Sequence, residues 1–228
     1  MFMRLFTMLS PDERRKFELF KSDSAALLYL VAHAVLRQVL DGIEPGLFRD
    51  ADFTMNAFGK PLIDDTPSGR PLHCNISHAW PLVAVVVTRH APCGVDIELC
   101  DGKGDWRQVL PLVLQPHERD AVLSASDPEW AFICRWTLKE AVVKTLGVGL
   151  SWDFAGFSVC PVRGIAIDDA GVAADVALCC RPCSLFGGTL RGALTVGCAS
   201  GRDRMPPIVF HSLAQSGYPA SRRRKLYA

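Results

Sequence analysis

Two short charged segments could together bind a metal ion and a phosphate group. The first is GVDIE, which ends at Glu98, and the second is WTLKEAVVK, which ends at Lys144. If GVDIE is a strand, Asp96 and Glu98 point to the same face, because alternate side chains of a strand share a face. Two such carboxylates repel each other unless they are protonated or bridged by a cation. The pair therefore predicts a divalent metal site. Mg²⁺ fits best, since it uses one or two carboxylates and completes its shell with water and phosphate oxygens.

The second segment predicts a helix that carries a further carboxylate and a lysine. At about 100° per residue its apolar side chains share one arc, and Glu140 and Lys144 lie side by side just beyond the edge of that arc. If this edge packs against the Asp96 strand, Glu140 supplies a third carboxylate and Lys144 can meet an anionic oxygen. The alternative is an ordinary surface ion pair, which would contribute only about 0.2–0.5 kcal/mol. Lys139 falls inside the apolar arc, where a lysine needs a partner.

The composition predicts one compact body with a sizeable core. The chain has 228 residues, of which 49% are hydrophobic, and this length favours a single body that can consist of two halves. Its 25 basic residues almost balance its 24 acidic residues, so no overall field attracts nucleic acid or a membrane surface. The basic run Arg222–Lys225 has no interleaved aromatic residues and does not support nucleic-acid binding. An anionic ligand must therefore be bound by a local site.

The cysteine pattern predicts a reducing environment. Nine cysteines are scattered without zinc-like spacing, and such an odd count suits a cytoplasmic interior better than a disulfide framework. The one cluster, Cys179, Cys180 and Cys183, lies in a segment with strand composition, so we expect no metal site there. The amino terminus lacks a long apolar region with a cleavage site, and no stretch is expected to reach membrane-spanning length. We therefore expect a cytoplasmic protein without membrane contact.

Capping signals place two helices near the amino terminus. One runs over about Pro11–Phe20, with Ser10 as its N-cap and proline at its first position. The next, SAALLYLVAHAVLRQVLDG, begins after Ser22 or Ser24. His33 within it is predicted to be a satisfied helix histidine rather than a ligand.

Strands and further helices follow. FGKPLI contains a glycine and a proline that interrupt a strand and leave Lys60 on an exposed turn. Leu82–Thr88 is a β-branched run, and Gly94 restarts the chain into the next strand. A helical piece and a loop lead to the helix of WTLKEAVVK, which begins near Pro128, and short strands come after it, with a hairpin at Asp168–Gly171. This mixture of helices and strands predicts an α+β fold.

Four segments in this order resemble a known family. They are FGKP (Phe58 to Pro61), NISH (Asn75 to His78), GVDIE (Gly94 to Glu98) and WTLKEAVVK (Trp136 to Lys144). Each is weak alone, but the ordered set, within a resemblance from about Ser10 to Val159, is similar to the 4′-phosphopantetheinyl transferases of the longer, surfactin-synthetase type. The resemblance implies a pseudo-dimer of two similar α+β halves, residues 1–101 and 102–228, with the active site in the cleft between them.

The resemblance also implies a reaction and its partners. The enzyme would move the 4′-phosphopantetheine group of coenzyme A to a serine of an apo acyl or peptidyl carrier protein, in the manner of a holo-[acyl-carrier-protein] synthase, and would release 3′,5′-ADP. Such enzymes serve fatty acid, polyketide and nonribosomal peptide biosynthesis. The family type also implies a monomer. Partner choice depends on surface shape, so the sequence does not identify the carrier protein.

Individual residues take roles from the same resemblance. Asp96, Glu98 and Glu140 would hold Mg²⁺ on the coenzyme A pyrophosphate. Glu140 would also remove the serine proton, and Lys144 would steady the phosphate charge. The implied contacts to coenzyme A are Arg14, Lys16, Lys60, Pro61, Ser77, His78, Lys139 and Lys144. Lys139 would be drawn either towards the same ligand or towards an interface carboxylate.

One position departs from the family pattern and keeps rival functions open. Relatives commonly have an arginine, expected to bind the 3′-phosphate of coenzyme A, where this chain has Leu28. One rival is therefore a non-catalytic module of the same fold that binds carrier proteins, although all three carboxylates and Lys144 are retained. Another is a magnesium-dependent enzyme that uses water on a nucleotide pyrophosphate.

Overall fold

Helices and antiparallel sheets alternate along the chain, as an α+β fold requires. The structure is a computed structural model. It describes residues 2–46, 48, 53–63, 66, 69–102, 104–149, 151–167, 176–185, 188, 190–200, 205–210 and 224–226. The predicted hairpin at Asp168–Gly171 and the first two residues of the basic run, Arg222 and Arg223, lie outside these residues.

The helices and strands have the following bounds. The helices are α1 (Phe2–Phe6), α2 (Pro11–Glu18), α3 (Asp23–Ile43), α4 (Trp106–Val113), α5 (Pro116–Leu123) and α6 (Pro128–Leu146). The strands are β1 (Thr54–Met55), β2 (Pro61–Ile63), β3 (Leu72–Ala79), β4 (Leu82–Thr88), β5 (Cys93–Cys100), β6 (Ser158–Cys160), β7 (Ile165–Ile167), β8 (Ala177–Leu185), β9 (Leu190–Cys198), β10 (Ile208–Phe210) and β11 (Arg224–Leu226).

The amino-terminal helices begin where the capping signals predict. Ser10 and Glu13 form a reciprocal capping box at the start of α2, with Pro11 at the first position, which satisfies two backbone N–H groups. Ser22, not Ser24, caps α3. α3 then packs on a sheet with the order β1-β2-β3-β4, mainly against β4 and β3. Its buried Leu36 and Leu40 join Leu72 of β3 in one apolar cluster.

A second helix-on-sheet layer follows in the chain. α6 packs on a sheet with the order β5-β9-β8-β7-β6, mainly against β5 and β9. The helix begins after the N-cap Asp127 and ends at Gly147, whose φ of 71° is the left-handed conformation that glycine adopts readily. Gly94 of β5 lets the helix lie close, because a Cβ at this position would come within 2.5 Å of the Ala141 carbonyl oxygen. This close approach brings the charged edge of α6 towards β5.

The carboxyl-terminal half differs from the sequence prediction in two places. The predicted helical piece before α6 is two helices, α4 and α5. A new helix begins at Pro116 because Gln115, just before it, and Glu118, two residues after it, form a capping box. The first of the short strands predicted after α6 begins only at Ser158. A short 3₁₀ helix, Phe154–Gly156, precedes it, since the Asp153 side chain accepts a hydrogen bond from the Ala155 N–H and caps this turn.

α3 corrects the expectation that no segment reaches membrane-spanning length. It has 21 residues and a mean hydropathy of 1.4 over its most apolar window, of which 33% is buried. Helices with these properties occur in membranes, in signal sequences and in the cores of water-soluble proteins. In this structure α3 contributes Arg37, which is 2% exposed and forms an ion pair with Glu13 of α2.

Candidate active site

A cavity of about 440 Å³ lies where the α3 layer meets the α6 layer. β3 and β5 form one wall, and α3, α6 and the turn before β2 complete it. Its lining residues are Tyr29, Ala32, His33, Met55, Gly59, Pro61, Asn75, Ile76, Ser77, His78, Asp96, Glu98, Glu140 and Lys144. The cavity therefore contains all three predicted metal ligands together with Lys144, Pro61, Ser77 and His78.

The NISH segment joins β3 to β5 through side chains instead of a backbone ladder. The Asn75 side-chain oxygen accepts a hydrogen bond of 2.9 Å from the Val95 N–H. The Ser77 hydroxyl oxygen accepts one of 3.3 Å from the Ile97 N–H. These contacts hold β5 beside β3 and leave its Asp96 and Glu98 side chains on the cavity face, as the strand alternation predicts.

Asp96 is the most enclosed carboxylate of the site. It is 2% exposed, and its Oδ1 accepts hydrogen bonds from the Ser77 hydroxyl at 2.8 Å and from Lys144 Nζ at 2.6 Å. Lys144 Nζ also donates to the Ser77 hydroxyl oxygen at 3.1 Å. The second carboxylate oxygen, Oδ2, is buried without a hydrogen-bond partner in the described part of the chain. A buried, unpartnered anionic oxygen is costly unless a cation or donor completes it.

Glu98 and Glu140 are carboxyl groups with raised pKa values. Burial raises the pKa of Glu98 to about 7, and the charge of Asp96 adds to the effect, although a hydrogen bond of 3.2 Å from the Trp136 indole N–H opposes it. Burial also raises the pKa of Glu140, against the opposing charge of Lys144, whose Nζ lies 3.7 Å from Glu140 Oε2. Among the described lining residues, Lys144 is therefore the lysine that neutralises charge on three carboxyl groups.

These residues fit a hard divalent cation in their chemistry. Among the residues that the structure describes, no three His, Cys, Asp or Glu side chains are gathered as a finished metal cluster. The cavity nevertheless brings Asp96, whose Oδ2 lacks a hydrogen-bond partner in the described part of the chain, together with Glu98 and Glu140. Oxygen donors of this kind suit Mg²⁺.

Lys139, predicted to contact either coenzyme A or a carboxylate, is not among the lining residues of the cavity. It is 0% exposed, and its Nζ forms an ion pair of 2.7 Å with Glu118 of α5. It also donates hydrogen bonds to the carbonyl oxygens of Phe154 and Phe157, at 2.8 and 2.5 Å. Of the two predicted partners for Lys139, the structure therefore supports the carboxylate. Lys139 lies on the apolar face of α6, and this face packs in the core beside Glu118.

Lys60 is likewise not among the lining residues of the cavity, and it is half-buried where an exposed position was predicted. Its Nζ donates to the carbonyl oxygens of Cys93, Lys144 and Thr145, at 2.8, 2.7 and 2.9 Å. Burial lowers its pKa. Carbonyl groups at the end of a helix lack intrahelical partners, so Lys60 satisfies two of those at the end of α6.

Arg14 and Lys16 do not line the cavity either. The Arg14 guanidinium donates to the carbonyl oxygens of Phe6 and Thr7, and Lys16 pairs with Asp12 one turn earlier on α2. Leu28 is half-buried and is likewise not among the lining residues. The next residue, Tyr29, lines the cavity in its place.

Sequence reasoning missed Tyr29 and His33 as cavity residues. His33 is a satisfied helix histidine, as predicted, since its Nδ1 lies 2.8 Å from Glu13 Oε1. The same ring lines the cavity and packs on Tyr29, with ring centroids 4.1 Å apart. The i, i+4 spacing of two amphipathic rings on one face of α3 was the available signal.

A second cavity reaches Glu140 from another direction. Its volume is about 320 Å³, and its lining residues are Leu112, Val113, Trp136, Glu140, Trp152, Asp153 and Phe154. These walls are mostly apolar and aromatic. Glu140 therefore stands between a charged cavity and an apolar one.

Comparison with known proteins identifies the class of this chain. A model of the 4′-phosphopantetheinyl transferase superfamily matches residues 92–175, which include the β5 carboxylates and all of α6. The chain is 30% identical over 160 residues to 4′-phosphopantetheinyl transferase ffp of Bacillus subtilis, which is 68% of each chain. It is 29% identical over 160 residues to 4′-phosphopantetheinyl transferase Sfp of Bacillus subtilis strain 168, again 68% of each chain. The protein is thus a transferase enzyme. It belongs to the 4′-phosphopantetheinyl transferase superfamily.

A solved structure gives a weaker likeness. Holo-[acyl-carrier-protein] synthase of Thermotoga maritima matches with a TM-score of 0.35 and 19% identity, over 54% of this chain and 70% of that one. A likeness at this level supports no conclusion about this chain.

Proposed function

We propose that this protein transfers the 4′-phosphopantetheine group of coenzyme A to a serine of an apo acyl or peptidyl carrier protein, in a reaction that requires Mg²⁺. The observation that carries the proposal is the cavity in which Asp96, Glu98 and Glu140 meet Lys144. Transfer of a phosphoryl-type group needs positioning and charge neutralisation more than a covalent nucleophile, and these residues supply both.

Asp96, Glu98 and Glu140 would hold the cation. When bound, Mg²⁺ would neutralise negative charge on the pyrophosphate of coenzyme A. Asp96 is the best placed of the three carboxylates, because its Oδ2 is buried and has no protein partner in the described residues.

The protein's own residues would move the proton and position the phosphate. Glu140 takes the proton of the carrier serine, a role that suits a carboxyl group whose pKa is raised by burial. The serine oxygen forms a bond to the β-phosphorus, the bond from that phosphorus to the bridging oxygen breaks, and 3′,5′-ADP leaves. Lys144, held by Asp96 and Ser77, offers positive charge as the leaving phosphate becomes more negative.

The proposal includes a pseudo-dimeric architecture of the surfactin-synthetase type, with halves at residues 1–101 and 102–228. Two repeated layers support it, since α3 packs on one antiparallel sheet and α6 packs on the other. β5 lies in the first half of the chain but pairs with β9, so the halves share a strand. A cytoplasmic, monomeric enzyme is part of the same proposal, and the nine free cysteines suit a reducing compartment.

Mass spectrometry of carrier proteins tests this function. The protein is incubated with coenzyme A, Mg²⁺ and several apo carrier proteins, and an Asp96→Ala variant serves as the control. We expect one carrier to gain the phosphopantetheine mass and 3′,5′-ADP to appear in equal amount. Phosphopantetheine released into solution would indicate a hydrolase instead. Carrier binding without any coenzyme A turnover would indicate a non-catalytic module.

A further inference from the structure

A buried network holds one histidine of the cavity in place. His33 is 12% exposed in its side chain, and its Nδ1 lies 2.8 Å from Glu13 Oε1. Its ring rests against the Tyr29 ring of the preceding turn, with centroids 4.1 Å apart. Because Nδ1 is taken by Glu13, the opposite ring nitrogen, Nε2, is the one that a ligand in the cavity can reach.

The hydrogen-bond partners of Glu13 stabilise its ionised form. Burial alone would raise its pKa, but hydrogen bonds from His33, Arg37 and the Ser10 N–H outweigh burial and lower the pKa to about 2. Arg37 Nε and the Ser10 N–H both bind Oε2, at 2.6 and 2.9 Å, and leave Oε1 to His33. A carboxylate fixed in this way orients the imidazole ring of His33.

The cavity contains few groups that could bind a second phosphate. Of its described lining residues, the basic or imidazole side chains are Lys144, His33 and His78. Lys144 is engaged by Asp96 and Ser77. Arg14, Lys16 and Lys60, which could have supplied further charge, make their contacts elsewhere. Of these basic and imidazole side chains, His33 and His78 remain for a second anionic group in the cavity.

We propose that His33, fixed by Glu13, binds the 3′-phosphate of coenzyme A through Nε2, in the cavity that His78 also lines. With a proton on each ring nitrogen, the ring donates one N–H to Glu13 and the other to a phosphate oxygen. This inference rests on the proposed function. Leu28 of α3 stands where relatives commonly have a phosphate-binding arginine, and this inference gives the phosphate contact to another residue of the same helix.

Calorimetric titration with two ligands tests the assignment. Coenzyme A and 3′-dephospho-coenzyme A are titrated, in buffer with Mg²⁺, into the wild-type protein and into His33→Asn. The asparagine amide can still donate to Glu13 but does not reach the position of Nε2. His33→Gln provides a longer amide that can replace the Nε2 donor. His117→Asn is the matched control, because His117 is an exposed residue of α5 and does not line the cavity.

We expect His33→Asn to weaken coenzyme A binding by about tenfold or more, as the loss of a hydrogen bond to a charged group predicts. Binding of the dephospho ligand should equal that of the wild-type protein, His33→Gln should lose less, and His117→Asn should lose nothing. Equal loss for both ligands, or no loss for either, would overturn the assignment while the wild-type protein still binds coenzyme A. Failure of the wild-type protein to bind coenzyme A would refute the proposed function, and this inference with it.

Discussion

Replacing Lys139 by methionine should destabilise the protein without weakening coenzyme A binding. Lys139 Nζ makes three contacts in the core, to Glu118 and to the carbonyl oxygens of Phe154 and Phe157. Methionine fills the same space but leaves these acceptors without their donor. Breaking one side of a buried ion pair costs about 3–5 kcal/mol.

The structure places the expected loss near the lower end of that range. Glu118 keeps hydrogen bonds from the N–H groups of Gln115 and Val159, at 3.0 and 2.9 Å, when the lysine is removed. We therefore expect the free energy of unfolding to fall by about 3 kcal/mol. The double variant Lys139→Met/Glu118→Gln should recover part of it, because the uncompensated charge is gone.

Chemical denaturation measures the stability, and calorimetric titration measures the affinity for coenzyme A. Lys144→Met is the control on the same helix, since it removes a lysine that does line the cavity. An unchanged unfolding free energy for Lys139→Met, together with weaker coenzyme A binding, would refute the burial argument and return Lys139 to the ligand.

Three further outcomes are expected. Asp96→Ala or Glu140→Ala should each remove most turnover in excess Mg²⁺ while the melting temperature shows a retained fold, and near wild-type turnover would contradict the metal assignment. Lys144→Ala should lower kcat more than it raises KM, because its charge matters most on the leaving phosphate; unchanged kcat in steady-state kinetics would argue for ground-state binding only. Because the folded pKa of Glu13 lies at about 2, below its ordinary value of 4.5, the group stabilises the fold above pH 4.5 and loses this effect as the pH falls through 2. Acid unfolding should therefore show a loss of about 3 kcal/mol that Glu13→Gln does not show.

The elements that carry the carboxylates could be predicted because their signals are local. Strand alternation placed Asp96 and Glu98 on one face, and a proline indicated where α6 begins. Gly94 was recognised as the start of β5. The sequence could not show that a side chain at Gly94 would clash with Ala141, since this contact joins residues far apart in the chain.

The partners of the lysines could not be predicted because they depend on tertiary packing. Periodicity showed that Lys139 faces an apolar arc, but nothing local indicated that Glu118 of α5 would lie there. Lys60 lay in a turn with the composition of an exposed loop, and only packing of that turn against the end of α6 gave it three carbonyl partners. For the same reason His33 could be recognised as satisfied but not as part of the cavity.

The contact between the turn before β2 and the end of α6 has a consequence for how the chain unfolds. The Asn56 amide donates to the Gly147 carbonyl oxygen at 2.9 Å, next to the carbonyl groups that Lys60 holds. The last turn of α6 is therefore completed by residues from the first half of the chain, just as β5 from that half completes the sheet beneath the helix. Fragments separated after residue 101 would each lack part of their own hydrogen bonding. We expect a single cooperative transition by calorimetry, and no independently folded half.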